Sequence, residues 1–266
     1  MDLQLNGKRA LVTGGSQGIG KAIAHQLADE GADVAVTART PEPLQEAASE
    51  IRALTGRRVI GVAADTSSDE QVREMVTRVV DQLGGVDILV NAAAKPGGAG
   101  RPPGLSEVTT EALLGEVNVK VAGYLRCARE VVPHMRSSGW GRIINLSGLA
   151  ARSSGSLIGS IRNVGVAALT KNLADELAGT GINVTVVHPG LTWTERMPEL
   201  IKTRARQSNR TPDEVEAELA GRNLVGRMIL AREVADVVTF LASPRAAAVN
   251  GDPVAAGGGA PLAIHY

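Results

Sequence analysis

The chain has 266 residues, with 28 Lys and Arg against 28 Asp and Glu; that length fits one large α/β domain or two small ones, and the balanced charge offers nothing to recruit nucleic acid or an anionic membrane. The start, Met1 to Lys8, has no basic stretch leading into an apolar one, and no later run is long enough to span a bilayer, so a cytoplasmic protein is expected, with a small-molecule substrate and further copies of itself as partners. The lone cysteine, Cys127, excludes an internal disulfide and reads as a small buried hydrophobe, while His25, His134, His188 and His265 lack metal-ligand spacing, so no metal is expected.

Arg9 to Val12 is a short apolar run, Thr13 to Gly20 a glycine-rich turn, and Lys21 to Asp29 resumes with helical spacing at Ile23, Ala24 and Leu27. Gly14, Gly18 and Gly20 lack a Cβ, so the backbone can bend sharply and a diphosphate can approach amides at the start of the following helix. A second strand, Asp33 to Arg39, completes one βαβ unit, which is the context that separates a dinucleotide turn from an ordinary tight connection.

Pro41 to Leu54 predicts a helix with Leu44, Ala47, Ala48, Ile51 and Leu54 on one face. A third strand spans Arg58 to Asp65, and Ser68 with Asp69 and Glu70 starts a helix that runs to about Leu83. Val86 to Ala93 is an apolar strand of the kind buried on both faces. A Gly- and Pro-rich loop, Lys95 to Gly104, leads into a long helical stretch from about Ser106 to Arg136. Arg142 to Ser147 is a fifth strand, a helix follows from Gly159 to about Ala178, and Ile182 to Gly190 is a sixth strand with its turn. The stretch 191–227 is polar, charged and partly helical, with Pro212 opening one helix; it is expected to be the substrate lid. A helix over Ala231 to Ala242 and a short strand near Val254 finish the pattern. No linker divides the chain, so residues 1–266 are expected to form a single Rossmann-type α/β domain, a doubly wound parallel sheet of about seven strands with helices on both faces.

With these motifs in hand, the chain resembles the short-chain dehydrogenase/reductase family over nearly its whole length. Thr13-Gly14-Gly15-Ser16-Gln17-Gly18-Ile19-Gly20 matches the family's Thr-Gly-x-x-x-Gly-x-Gly turn. Asp65, with Thr66 beside it, matches the acid that contacts adenine; Asn91-Ala92-Ala93 matches the Asn-Ala-Gly stretch after the fourth strand; Pro189, Gly190, Thr192 and Thr194 match the nicotinamide-side segment. Asp65 at a strand end also reads as a plain turn carboxylate, and Thr192 and Thr194 as turn residues. The resemblance further implies a dimer or tetramer.

An arginine after the second strand attracts a ribose 2′-phosphate, where an acid would repel it. This chain has Arg39 there, with Thr37 and Thr40 as further donors, so NADP(H) is favoured over NAD(H); the alternative is that Arg39 is a solvated surface cation. The family usually places a Tyr-x-x-x-Lys pair on the helix after the fifth strand. Alignment puts Gly159 and Asn163 at those two positions, Lys120 (or, with a two-residue slip, Asn118) where the family keeps an asparagine on the long helix, and Ser147 one residue before the usual serine, with Gly148 on it. The expectation is an oxidoreductase of carbonyl or alcohol compounds with a relocated centre built from Lys120, Ser147 and Asn163. The alternative is an NADP(H)-binding protein without ordinary redox activity. Tyr124, one turn after Lys120, reads as packing, Arg162 as surface or pocket mouth, and Trp193 as a pocket wall or an anchor for its segment.

Overall fold

The computed structural model describes residues 1–95 and 101–261. The tail 260–266, whose apolar and aromatic residues read in the sequence as a segment that docks on a neighbouring copy, has its last five residues outside the described residues. Five-residue β1 (Arg9–Thr13) is followed by α1 (Gly18–Asp29), β2 (Asp33–Ala38), α2 (Pro41–Thr55), β3 (Val59–Ala63), α3 (Asp69–Leu83) and β4 (Ile88–Asn91). The second half runs through α4 (Thr110–Val117), α5 (Gly123–Ser138), β5 (Gly141–Leu146), α6 (Leu157–Glu176), β6 (Ile182–Pro189) and β7 (Thr192–Trp193). It ends with α7 (Met197–Ser208), α8 (Pro212–Ala220), β8 (Ile229–Leu230), α9 (Ala231–Ala242) and β9 (Pro253–Ala256).

Seven strands form one parallel sheet in the order β3-β2-β1-β4-β5-β6-β9. The order reverses between β1 and β4, and a doubly wound sheet opens its ligand crevice beyond the carboxyl ends of strands at such a switch. Ala10–Val12 and Ile88–Val90 are fully buried, as expected of strands covered on both faces. On one face Ile23 and Leu27 of α1, Leu44 of α2 and Val238 of α9 pack together; on the other, Val72 and Met75 of α3 pack with Cys127 and Val131 of α5. Burial pushes the Cys127 thiol up to about 12, so this cysteine is an inert core group.

Two local features differ from the expectation. The long helix starts at Thr110 rather than Ser106, because the Thr109 hydroxyl accepts from the Ala112 amide and closes the first turn. Between α4 and α5 a single π-helical turn, Asn118–Ala122, interrupts the ladder. Its extra residue rotates Lys120 into the protein, and Lys120 is the one buried member of that turn. The stretch 191–227 has a small core of its own, in which Met197, Ile201 and Ala205 of α7 meet Val215 and Leu219 of α8. It also adds the two-stranded parallel pair β7–β8, which the sequence does not predict. Among the described residues no helix is long and apolar enough to cross a membrane.

Candidate functional site

A cleft of about 610 Å³ lies over the β1–β4 switch, walled by the β1–α1 turn, the ends of β2, β3 and β4, and the first part of α7. The turn bends because its glycines permit it. Gly14 and Gly18 have φ values of +69° and +58°, and a Cβ on Gly20 would lie 2.2 Å from the Gly14 carbonyl oxygen. A Cβ on Gly14 would meet the Ala93 backbone at 2.9 Å, so the two loops touch main chain to main chain. The Thr13 hydroxyl secures this contact by accepting from the amides of Ala92 and Ala93, at 3.1 and 3.2 Å. Thr13 therefore has a positioning role that its place at the end of an apolar strand does not advertise.

Of the residues expected to hold a dinucleotide, Gly14, Ser16, Gln17, Gly18, Ile19, Gly20, Arg39, Asp65, Thr66, Ala92, Ala93 and Thr194 line this cleft. Asn91, Pro189, Gly190 and Thr192 do not. Asn91 lies inside the sheet, where its amide donates to Asn145 Oδ1 at 2.9 Å; Asn145 in turn donates to the Thr170 hydroxyl, which donates to the Val166 carbonyl. Gly190 is pressed against β9, since a Cβ there would lie 2.8 Å from Gly257, and the Thr192 hydroxyl donates to the Gly190 carbonyl. The expected donor Thr37 is also committed elsewhere, as its buried hydroxyl donates to the Val62 carbonyl at 2.5 Å. Thr37 and Thr40 both lie on the cleft wall, on either side of Ala38 and Arg39.

Asp65 Oδ1 accepts from the Ser67 amide and hydroxyl at 2.9 and 2.7 Å, which is the turn role that its position allowed. Burial raises its carboxyl, but the two Ser67 bonds and the cations of Arg39 and Arg126 outweigh this and hold it below the ordinary carboxylate range. A fixed negative charge thus faces the cleft near Arg39.

The three expected catalytic residues come together, although none of them lines the cleft. Lys120 Nζ donates to the Ser147 carbonyl at 2.8 Å and to Asn163 Oδ1 at 2.9 Å. The Ser147 hydroxyl donates to the Asn163 carbonyl at 2.9 Å. The cluster joins the π turn, the end of β5 and α6, and its neighbour Val119 is on the cleft wall. Gly148 makes room for it, because a Cβ at that position would lie 3.0 Å from the Asn163 amide nitrogen. Lys120 is only 5% exposed. Burial, assisted by the Arg162 cation and opposed by Glu116, lowers its ammonium to about 7.

Arg162 is not a bare surface cation; it forms an ion pair with Glu116, linking α6 to α4 beside the Lys120–Asn163 bond. Tyr124 is fully buried and donates to the Leu146 carbonyl at 3.0 Å, and burial raises its phenol far above its usual value. Lys120 and Tyr124 have the four-residue spacing of the family pair in reversed order, on the other helix, and the phenol stays protonated. Trp193 packs on the core of the 191–227 stretch, which matches its reading as an anchor. Other wall residues carry no motif: Lys95 falls in the Gly- and Pro-rich loop and Val119 in the long helical stretch, while Arg196, Leu200 and Arg204 were legible only as part of the expected lid.

Comparison with known proteins agrees with the geometry. The short chain dehydrogenase family model matches residues 8–205. The short-chain reductase protein NovJ of Streptomyces niveus is 34% identical over 95% of this chain and 93% of its own length. The 3-oxoacyl-[acyl-carrier-protein] reductase FabG of Vibrio cholerae is 34% identical over 97% of this chain and 98% of its own. Among solved structures, L-sorbose reductase from Gluconobacter frateurii, complexed with NADPH and L-sorbose, superposes with a TM-score of 0.93 at 31% identity, covering 99% of this chain and 100% of that one.

Proposed function

We infer the reaction class from one premise: the chain belongs to the short chain dehydrogenase family. Our reading is an NADP(H)-dependent oxidoreductase of a small carbonyl or alcohol compound, atypical in that its proton is managed by Lys120 rather than by a tyrosine on α6. The residues present fit the cofactor. The glycine cradle has no room for side chains at Gly14 and Gly20, and the Gly18 amide already donates to an oxyanion, the carboxylate of Glu195. Arg39 and Thr40 line the end of the cleft next to β2, where a 2′-phosphate would need a cation. The nicotinamide, when bound, supplies or removes the hydride.

What remains for the protein is the proton. The observation that carries the reading is the Lys120 nitrogen, buried, fixed by two acceptors and lowered to about 7. As a neutral amine it spends two N–H groups on Ser147 and Asn163 and keeps a lone pair; as an ammonium it has a third proton in the same place. A group poised near the working pH can give or take that proton with little bias, which is what general acid–base catalysis asks of it. Ser147 and Asn163 hold the nitrogen in one position, and Gly159 leaves no phenol to compete.

The alternative, dinucleotide binding without turnover, is favoured by one fact: Lys120 itself is not on the cleft wall. Calorimetric titration with NADPH and NADH, then a carbonyl panel followed at the nicotinamide absorbance in wild type and Lys120→Met, separates them. We expect NADPH to bind more tightly than NADH, and turnover to fall at least about 100-fold in the variant with binding retained. Binding without turnover on any substrate supports the alternative, and equal turnover in wild type and variant removes Lys120 from the mechanism.

A further inference from the structure

Glu195 has its carboxylate on the open end of α1. Oε2 lies 3.1 Å and Oε1 3.3 Å from the Gly18 amide, which donates to both. Gln17 provides no side-chain cap for this 12-residue helix, so the carboxylate answers an amide that the helix itself leaves unpaired. It arrives from 177 residues further along the chain, on the connection from β7 to α7. The same segment lines the cleft with Arg196, Leu200 and Arg204.

We propose that Glu195 is an affinity-determining residue for the dinucleotide: its carboxylate occupies the position of the diphosphate on the Gly18 amide and is displaced, together with the start of α7, when the cofactor binds. The proposal rests on the reading of the cleft as a dinucleotide site. One amide does not serve two anions, and a carboxylate left beside a diphosphate repels it, so binding exchanges one charge-assisted bond for another. Glu195 is exposed, so water weakens the bond that must be broken and the latch yields to a ligand. Arg196 and Arg204, on the same segment, already line the cleft, so its wall on that side is cationic once the carboxylate leaves. The affinity of the free protein is therefore set below what the glycine turn alone would give.

The test titrates the full chain with NADPH by calorimetry as wild type, Glu195→Gln and Glu199→Gln. Glu199 carries the same charge on the exposed face of α7, paired with Arg206 and away from Gly18. Glu195→Gln is expected to bind about three- to tenfold more tightly, with Glu199→Gln unchanged. Hydrogen exchange of 192–208 in the free protein is expected to quicken in Glu195→Gln alone, with the sheet unaltered, which separates release of the latch from misfolding. Unchanged or weaker binding by Glu195→Gln overturns the proposal, and so does an equal gain in both variants, which would be a bulk charge effect. Absence of NADPH and NADH binding in all three proteins overturns the cofactor reading and the proposal with it, a result distinct from a wild type that binds and a variant that binds the same.

Discussion

Lys120 carries a large cost of burial at a single nitrogen. With its ammonium lowered to about 7 from the ordinary 10.5, the folded chain has released a proton between those two values that the unfolded chain still holds. More protons bound in the unfolded state means stability that rises with pH, so the penalty of burying Lys120 is complete below about 7 and fades as pH approaches 10.5. Urea midpoints of wild type measured from pH 6.5 to 9.5 should therefore climb relative to those of Lys120→Met, whose removal of the amine flattens this part of the profile whatever its offset. The residue was legible only in part. Alignment places Lys120 opposite an asparagine position, but a helix lysine is ordinarily solvated. Its burial depends on a π turn and on acceptors 27 and 43 residues away. The pairing of Arg162 with Glu116 is hidden in the same way, since 46 residues separate them.

At the scale of elements, the β1–α1 turn and the capped helices carry separable tests. Gly20→Ala would place a methyl 2.2 Å from the Gly14 carbonyl oxygen, a main-chain clash that no rotamer relieves. It should cost about 1–3 kcal/mol or more and lower both the thermal midpoint and NADPH affinity. Thr109→Ala removes the cap of α4 and should cost about 1 kcal/mol by denaturant unfolding. Because α4 leads directly into the π turn, that variant should also reduce turnover more than it reduces cofactor binding. Strands and helices were readable because apolar runs and helical spacing are local signals. The true start of α4 and the π turn were not, because one depends on which of several Ser and Thr side chains closes a cap and the other on a register shift against β5 and α6. The four expected cofactor residues off the cleft wall, Asn91, Pro189, Gly190 and Thr192, follow the same logic: the motif marks a strand end, and the fold turns Asn91 into the sheet, pairs Pro189 with β9, presses Gly190 against Gly257 and closes the Thr192 hydroxyl onto the Gly190 carbonyl.

Across the whole molecule, the alternating order of strands and helices made the parallel sheet and its switch point legible, as did the position of the cleft above it. What covers the outer helices was not. Leu157, Ile161 and Val164 of α6 are 47–49% exposed, with Leu114 of α4 and Leu125 of α5 also exposed. We propose that this apolar set lies in the interface of a homodimer or homotetramer. Sedimentation should show such a particle for wild type and a smaller one for the double variant Ile161→Asp and Val164→Asp; a wild-type monomer refutes this surface assignment.

The small core shared by α7 and α8 has a kinetic meaning. A lid made of unstructured chain would pay roughly 1–2 kcal/mol for every residue it ordered on closing. Here Met197, Ile201, Ala205, Val215 and Leu219 already hold the unit together, so a lid built from it would move as a rigid body, with the ordering cost confined to the short connections at its ends. Closure of such a lid would need only a few contacts of modest strength to drive it.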